Sequence, residues 1–150
     1  MAAMRARLFA TANDFALTLL RLVLGWVFLL HGGQLMLGWF GGHGFSGTMA
    51  YFESTGIPAP FAALAIFAQF FGGLGLLLGL LTRIAAFGIV VTMLVAVVKV
   101  HLAVGFFMNW AGTQKGEGYE FHLLAISMGL VLLWRGAGAL SIDRVIGNKT

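Results

Sequence analysis

"FALTLLRLVLGWVFLLHGGQLML", residues 15–37, is an apolar run with one charged side chain, Arg21, and a polar cluster, His31 and Gln34, towards its far end. At a rise of about 1.5 Å per residue a helix of this length reaches about 34 Å, enough to cross a hydrocarbon layer of about 30 Å. The same run could be the core helix of a soluble domain, and the composition of the whole chain decides between the two. Of 150 residues, 60% are hydrophobic and only 9% are charged, and the mean hydropathy is +0.96. A soluble domain carries charge on roughly a quarter of its residues. This chain lacks the polar shell that water requires, so its solvent is lipid.

Three further stretches have the same character: residues 60–81, 84–107 and 119–140. The expectation is an all-α, integral membrane four-helix bundle forming a single domain over residues 1–150. The last stretch contains Arg135, close enough to its end to snorkel to the headgroups. The first is too long for the apolar core of a signal peptide, and no A-x-A-like cleavage site follows it. No cysteine is present, which removes disulfides, thiolate nucleophiles and Cys-ligated metals from the chain's own chemistry. Basic residues are scattered rather than clustered, so the net charge of +4 speaks for membrane orientation and against nucleic acid as a partner. With four spans, Arg5, Arg7, Arg83, Arg135, Arg144 and Lys149 share one side, against Lys115 on the other. The positive-inside rule then places both termini in the cytoplasm.

The loop between the first two spans, "GWFGGHGFSGTMAYFESTGIPAP", residues 38–60, is long and aromatic. Trp39, Phe40, Phe45, Tyr51 and Phe52 suit an interfacial position, and "SGTMAYFEST" is expected to form a short amphipathic helix on the outer surface. Ser54 or Thr55 is a candidate cap for the helix that follows. The turn between the second and third spans is very short, so those helices are antiparallel neighbours.

Spacing at 100° per residue sorts the polar groups. Arg21, Leu24, Phe28, His31 and Leu35 share a face, with Gln34 beside His31. Gln69, Gly73, Leu76, Leu80 and Arg83 share another, and Gly75–Gly79 forms a GxxxG pair suited to close helix contact. A stripe of Ala85, Gly88, Thr92, Ala96, Lys99 and Ala103 reads as the interior face of the third span. Lys99 is thereby expected to point inward and His101 elsewhere. His122, Ala125, Gly129 and Gly136 form the corresponding stripe of the last span, with Glu120 directed away, towards the loops or a lysine. By depth, His31, Gln69, Lys99, His101 and His122 fall in the outer half of the membrane, and Arg21 and Arg83 towards the cytoplasmic end. An ionisable group inside a bilayer costs at least ~2.5–3.5 kcal/mol and so marks a candidate functional site. Arg21 and Arg83 read as anchors to headgroups. His31, Gln34 and Gln69 serve equally as hydrogen-bonding glue between helices. His43 and Glu53 read as solvated surface residues. Histidines on separate helices can hold haem or copper, but no H-x-x-x-H or E-x-x-H pair supplies the spacing.

Taken together, "LRLVLGWVFLLHGGQLML", "GFSGTMAYFESTGIPAP", "GGLGLLLGLLTRIAAF", "VAVVKVHLAVGFF", "GYEFHLLAI" and "GAGALSIDR" run in order over nearly the whole chain. In this combination the chain resembles the DoxX/DoxD-like superfamily of small four-helix bacterial membrane proteins. The resemblance implies an inner-membrane location and a link to redox complexes. Members have been connected with a thiosulfate:quinone oxidoreductase and with oxidoreductase assemblies in oxidative-stress defence. One departure is that Gln69 stands where many relatives carry a glutamate, keeping size and hydrogen bonding but losing the charge.

The leading expectation is a non-catalytic or accessory membrane subunit of a quinone-linked oxidoreductase. It would bind a quinone or similar amphipathic molecule through His31, Gln34, Gln69, Lys99, His101, Glu120 and His122. Phe (14 residues) and Met (7 residues) would pack the ring and tail. Without cysteine or a flavin motif, the chain needs a redox partner for electron transfer. The alternative is an assembly protein that forms a homo-oligomer or escorts a partner through its glycine-rich faces. Permeation of a small solute is a third reading and would require an oligomer.

Overall fold

The computed structural model describes residues 8–148, all helix and connecting segments, with no strand among them. Arg5, Arg7 and Lys149, which carry part of the charge asymmetry, lie outside the described residues. Six helices follow in order: α1 Phe15–Leu37, α2 Gly44–Ser54, α3 Ala59–Leu78, α4 Thr82–Ala96, α5 Glu120–Arg135 and α6 Ile142–Gly147. α4 continues as a π-helical turn over Val97–His101. α1, α3 and α4 with its π turn are long and apolar enough to cross a membrane. α5 has 16 residues.

α1 packs most extensively on α3, α3 on α4, α4 on α5, and α5 more sparsely on α1. Their shared core is Leu24, Phe28, Leu76, Ala86, Ile89, Met93, Ala125 and Leu132. The outward faces are as apolar as the core. Trp26, Phe61, Leu64, Phe87, Leu94, Leu124 and Trp134 are all exposed, the inverse of what water would select and a match to acyl chains. The chain is thus a membrane protein by the character of its surface as well as of its sequence.

The expected spans shorten where particular residues stop them. Asp14 caps α1, its carboxylate accepting from the Ala16 and Leu17 amides at 2.8 and 3.4 Å. α3 ends at Leu78 because Gly79 takes the left-handed conformation, φ 64°. Gly79 is therefore a helix terminator and not half of a GxxxG contact. The close contact lies one turn earlier, where Gly32 of α1 faces α3 and Gly73 faces α1. A Cβ on Gly32 would collide with the backbone of Gln69 and Phe70, and one on Gly73 with that of Phe28 and Leu29. The helical part of the third span stops at His101 rather than at 107. The Leu102 amide bonds back five residues to the Val97 carbonyl at 2.8 Å, and Gly105 then turns the chain at φ 121°. α5 ends at Arg135, which is therefore terminal and exposed rather than interior. The loop helix forms as α2, fastened by the Thr48 hydroxyl on the Leu35 carbonyl at 3.0 Å. Ser54 and Thr55 do not cap α3; their hydroxyls turn back onto the Tyr51 and Phe52 carbonyls, each at 2.7 Å.

Both arginines read as headgroup anchors do something else. Arg21 is 1% exposed. Its guanidinium donates to the carbonyls of Leu76 and Leu77, the last turn of α3, and to those of Ala137 at 2.9 Å and Leu140 at 2.6 Å. A snorkelling chain would instead leave its head in the aqueous layer. Arg83 does the same for α5, donating to Leu133, Trp134 and Ala10. The last carbonyls of a helix have no partner within it and carry the negative end of its dipole, so a buried cation there satisfies both. The opposite pole is served by Asp143, 2% exposed, which accepts from the Leu81 and Thr82 amides at the start of α4 at 2.7 and 2.9 Å. Residues 10–14, 79–83 and 133–147 thus gather at one end of the helices. Helix direction carries α2 and the segment 102–119 to the other.

Candidate functional site

The α4–α5 joint brings two sequence candidates together at this second end. His101, in the π turn, and His122, in the first turn of α5, have ring centroids 4.0 Å apart. His122 is buried, 6% exposed, and its Nδ1 has no hydrogen-bond partner among the described residues. His101 is half-buried, and its Nδ1 lies 2.7 Å from the Glu117 carbonyl. A carbonyl only accepts, so this ring nitrogen carries the hydrogen. His31 of α1 is the third imidazole. Its ring is 5.9 Å from Phe121 and 6.5 Å from Phe28, so Phe121 stands between it and His122. Phe28 and Phe121 stack at 6.4 Å and 29°, and Phe121 meets His122 edge-on at 5.5 Å. His31 itself is exposed, where α1 and α5 touch least. Three imidazoles and two phenyl rings therefore meet beside a sparse helix junction. Among the described residues no three His, Asp or Glu side chains converge in a way that could hold a metal ion.

The expected orientation of the third span is corrected here. Its buried face is Thr82, Ala86, Ile89, Val90 and Met93, mostly larger side chains, rather than the stripe through Ala85, Gly88 and Thr92. The small stripe instead packs sideways on α3, where a Cβ on Gly88 would lie 3.1 Å from the Ala68 Cβ and one on Gly75 3.6 Å from the Ala85 Cβ. Lys99 continues that stripe and is exposed, while His101 turns to His122. Small residues mark the neighbour's closest backbone, and they need not point to the centre of a bundle.

The remaining candidates separate. Gln69 is 7% exposed and lies where α3 crosses Gly32, and its amide makes no hydrogen bond among the described residues. Gln34 packs by its backbone under Gly42 and likewise has no side-chain hydrogen bond there. Glu120 is directed to the loop, as expected. Its carboxylate accepts from the Met108 amide at 2.9 Å and the Trp110 indole at 3.2 Å. With Glu117 accepting from the Asn109 amide at 2.7 Å, it holds the segment that supplies the partner of His101. Sequence spacing missed Glu117, whose part is played by a backbone carbonyl and leaves no side-chain signal.

Comparison with known proteins points to one family. The DoxX family model matches residues 16–102, from the first turn of α1 to the end of the π turn. Over 113 residues the chain is 34% identical to "Inner membrane protein YqjF" of Escherichia coli (strain K12), covering 75% of this chain and 82% of that protein. Over 125 residues it is 30% identical to "Putative oxidoreductase CatD" of Bacillus subtilis (strain 168), covering 83% and 82%. No solved structure matches the chain.

Proposed function

The chain belongs to the DoxX family, and from that premise we propose that it is a quinone-binding membrane subunit of a redox-linked complex. In this reading α1, α3, α4 and the shorter α5 cross the bacterial inner membrane, with both termini in the cytoplasm and the histidine cluster near the outer leaflet. The single observation that carries the reading is the buried, unpartnered Nδ1 of His122 beside His101. A buried polar atom without a partner costs about 1–3 kcal/mol, and a ligand hydrogen-bonding there would recover that. Phe28 and Phe121 supply flat faces for a ring, and the exposed edge at His31 supplies a way in from lipid. Location and redox association draw support from the relatives' names, inner membrane protein and oxidoreductase. The orientation draws support from Arg83, Arg135 and Arg144 lying at the end opposite the cluster. α5 is short for a span at about 24 Å, but Leu123, Leu124, Leu130, Val131 and Trp134 give it the same apolar exterior as the other three. Cysteine is absent from the whole chain, so the electrons reach or leave the bound molecule through a partner protein.

Against the glycine-face reading, Gly32 and Gly73 face each other's helices, and Gly129 faces Val90, inside one chain. The test is titration of purified protein in micelles with a short-tailed quinone. His122→Leu and His31→Ala are expected to weaken binding tenfold or more and Lys99→Ala to leave it unchanged. Unchanged affinity in both histidine variants would refute the site.

A further inference from the structure

The contact between His101 and Glu117 bears on which redox form the site takes, an inference that rests on the quinone-site reading above. The Glu117 carbonyl, 2.7 Å from Nδ1, can only accept, so Nδ1 of His101 is the N–H. In a neutral imidazole the other nitrogen, Nε2, then presents a lone pair and no hydrogen. The arrangement is held rigidly. Glu117 is fixed through its carboxylate on the Asn109 amide at 2.7 Å. The returning strand of loop is fixed through the Tyr119 and Glu120 amides on the Gly105 and Phe106 carbonyls at 3.1 and 2.9 Å. The ring cannot exchange its nitrogens without breaking that bond. The nitrogen of His101 left as an acceptor thus belongs to a ring whose centroid is 4.0 Å from that of His122, whose Nδ1 is buried and has no partner among the described residues.

A quinone offers only carbonyl oxygens, which also accept, so it cannot bond to that lone pair. A quinol, or any phenol, offers an O–H of the right polarity. We infer that the cluster recognises an aromatic hydroxyl, the reduced form of the ring, with His101 as the residue that discriminates against the oxidised form. The same chemistry is presented by a membrane-borne quinol and by a diffusible dihydroxybenzene, so both enter the test.

Binding to the purified protein in micelles is measured anaerobically for six probes. These are a quinol with one isoprenoid unit, its quinone, its dimethyl ether, and tail-less 1,4-dihydroxybenzene with benzoquinone and 1,4-dimethoxybenzene as its controls. The expected result is a preference of roughly tenfold or more for hydroxyl over ether and quinone, about the worth of one hydrogen bond to a buried acceptor. In His101→Phe, which keeps a ring but has no lone pair, the ratio falls towards one. The preference in the tailed set points to a membrane quinol, and in the tail-less set alone to a diffusible phenol. Equal or tighter binding of the quinone by the native protein would overturn this inference while leaving the quinone site standing. Binding of none of the probes would overturn both.

Discussion

Replacing Arg21 separates a buried helix cap from a headgroup anchor. The side chain is 1% exposed and its donors reach four carbonyls, those of Leu76, Leu77, Ala137 and Leu140. Arg21→Met keeps much of the volume and removes every donor. Each buried carbonyl left without a partner costs about 1–3 kcal/mol. Those of Leu76 and Leu77 also lose the cation at the negative end of α3, a contribution of up to about 2 kcal/mol in a buried setting. These terms overlap, and breaking a buried charged network as a whole costs about 3–5 kcal/mol, which is the loss expected here. Arg21→Lys keeps the charge but replaces a planar fork of five donors by three on a point charge. It should lose about half as much. An exposed anchor would cost less than about 1 kcal/mol on either replacement. The assay is reversible unfolding by SDS in mixed micelles, followed by far-UV circular dichroism. Hydrogen exchange in residues 136–144 provides a local readout, since this segment should open first. If both variants stay within about 1 kcal/mol of the native protein and exchange there is unchanged, the capping argument is wrong.

Three further outcomes follow from the same geometry. Gly73→Val should separate α1 from α3, because its side chain would meet the Phe28 and Leu29 backbone, whereas Gly72→Ala, whose Cβ would meet only ordinary contacts at 3.5 Å, should not disturb their packing. Cross-linking between single cysteines introduced into the two helices would read the difference. Asp143→Ala should cost about 1–2 kcal/mol by orphaning the Leu81 and Thr82 amides at the head of α4, measured in the same SDS titration. Leu81 holds a positive φ of 51°, so Leu81→Gly should relieve strain and partly restore an Asp143→Ala background. Lys99→Ala should leave stability within about 0.5 kcal/mol, as for an exposed residue with no partner among the described residues, and a larger loss would restore the inward orientation.

The membrane character, the limits of α1, the loop helix α2 and the inward face of His122 were legible in the chain because each rests on local composition or on a 100° period. Gly75–Gly79 misled because the motif contains no information about which glycine ends the helix. Lys99 misled for a related reason: a stripe of small residues signals close approach, and the approach was to α3 at the side. The roles of Arg21 and Arg83 were illegible in principle. Their partners are backbone carbonyls 50 to 119 residues away, and every residue type has a carbonyl.

By itself, then, the sequence determined the solvent and the long apolar helices, both consequences of hydropathy and of a fixed rise per residue. Tertiary structure decided which histidines meet. One π-helical turn at residues 97–101 and the return of the loop onto Gly105 and Phe106 bring His101 against His122 and leave Lys99 outside. That outcome depends on hydrogen bonds between segments distant in sequence, which no local pattern of side chains encodes.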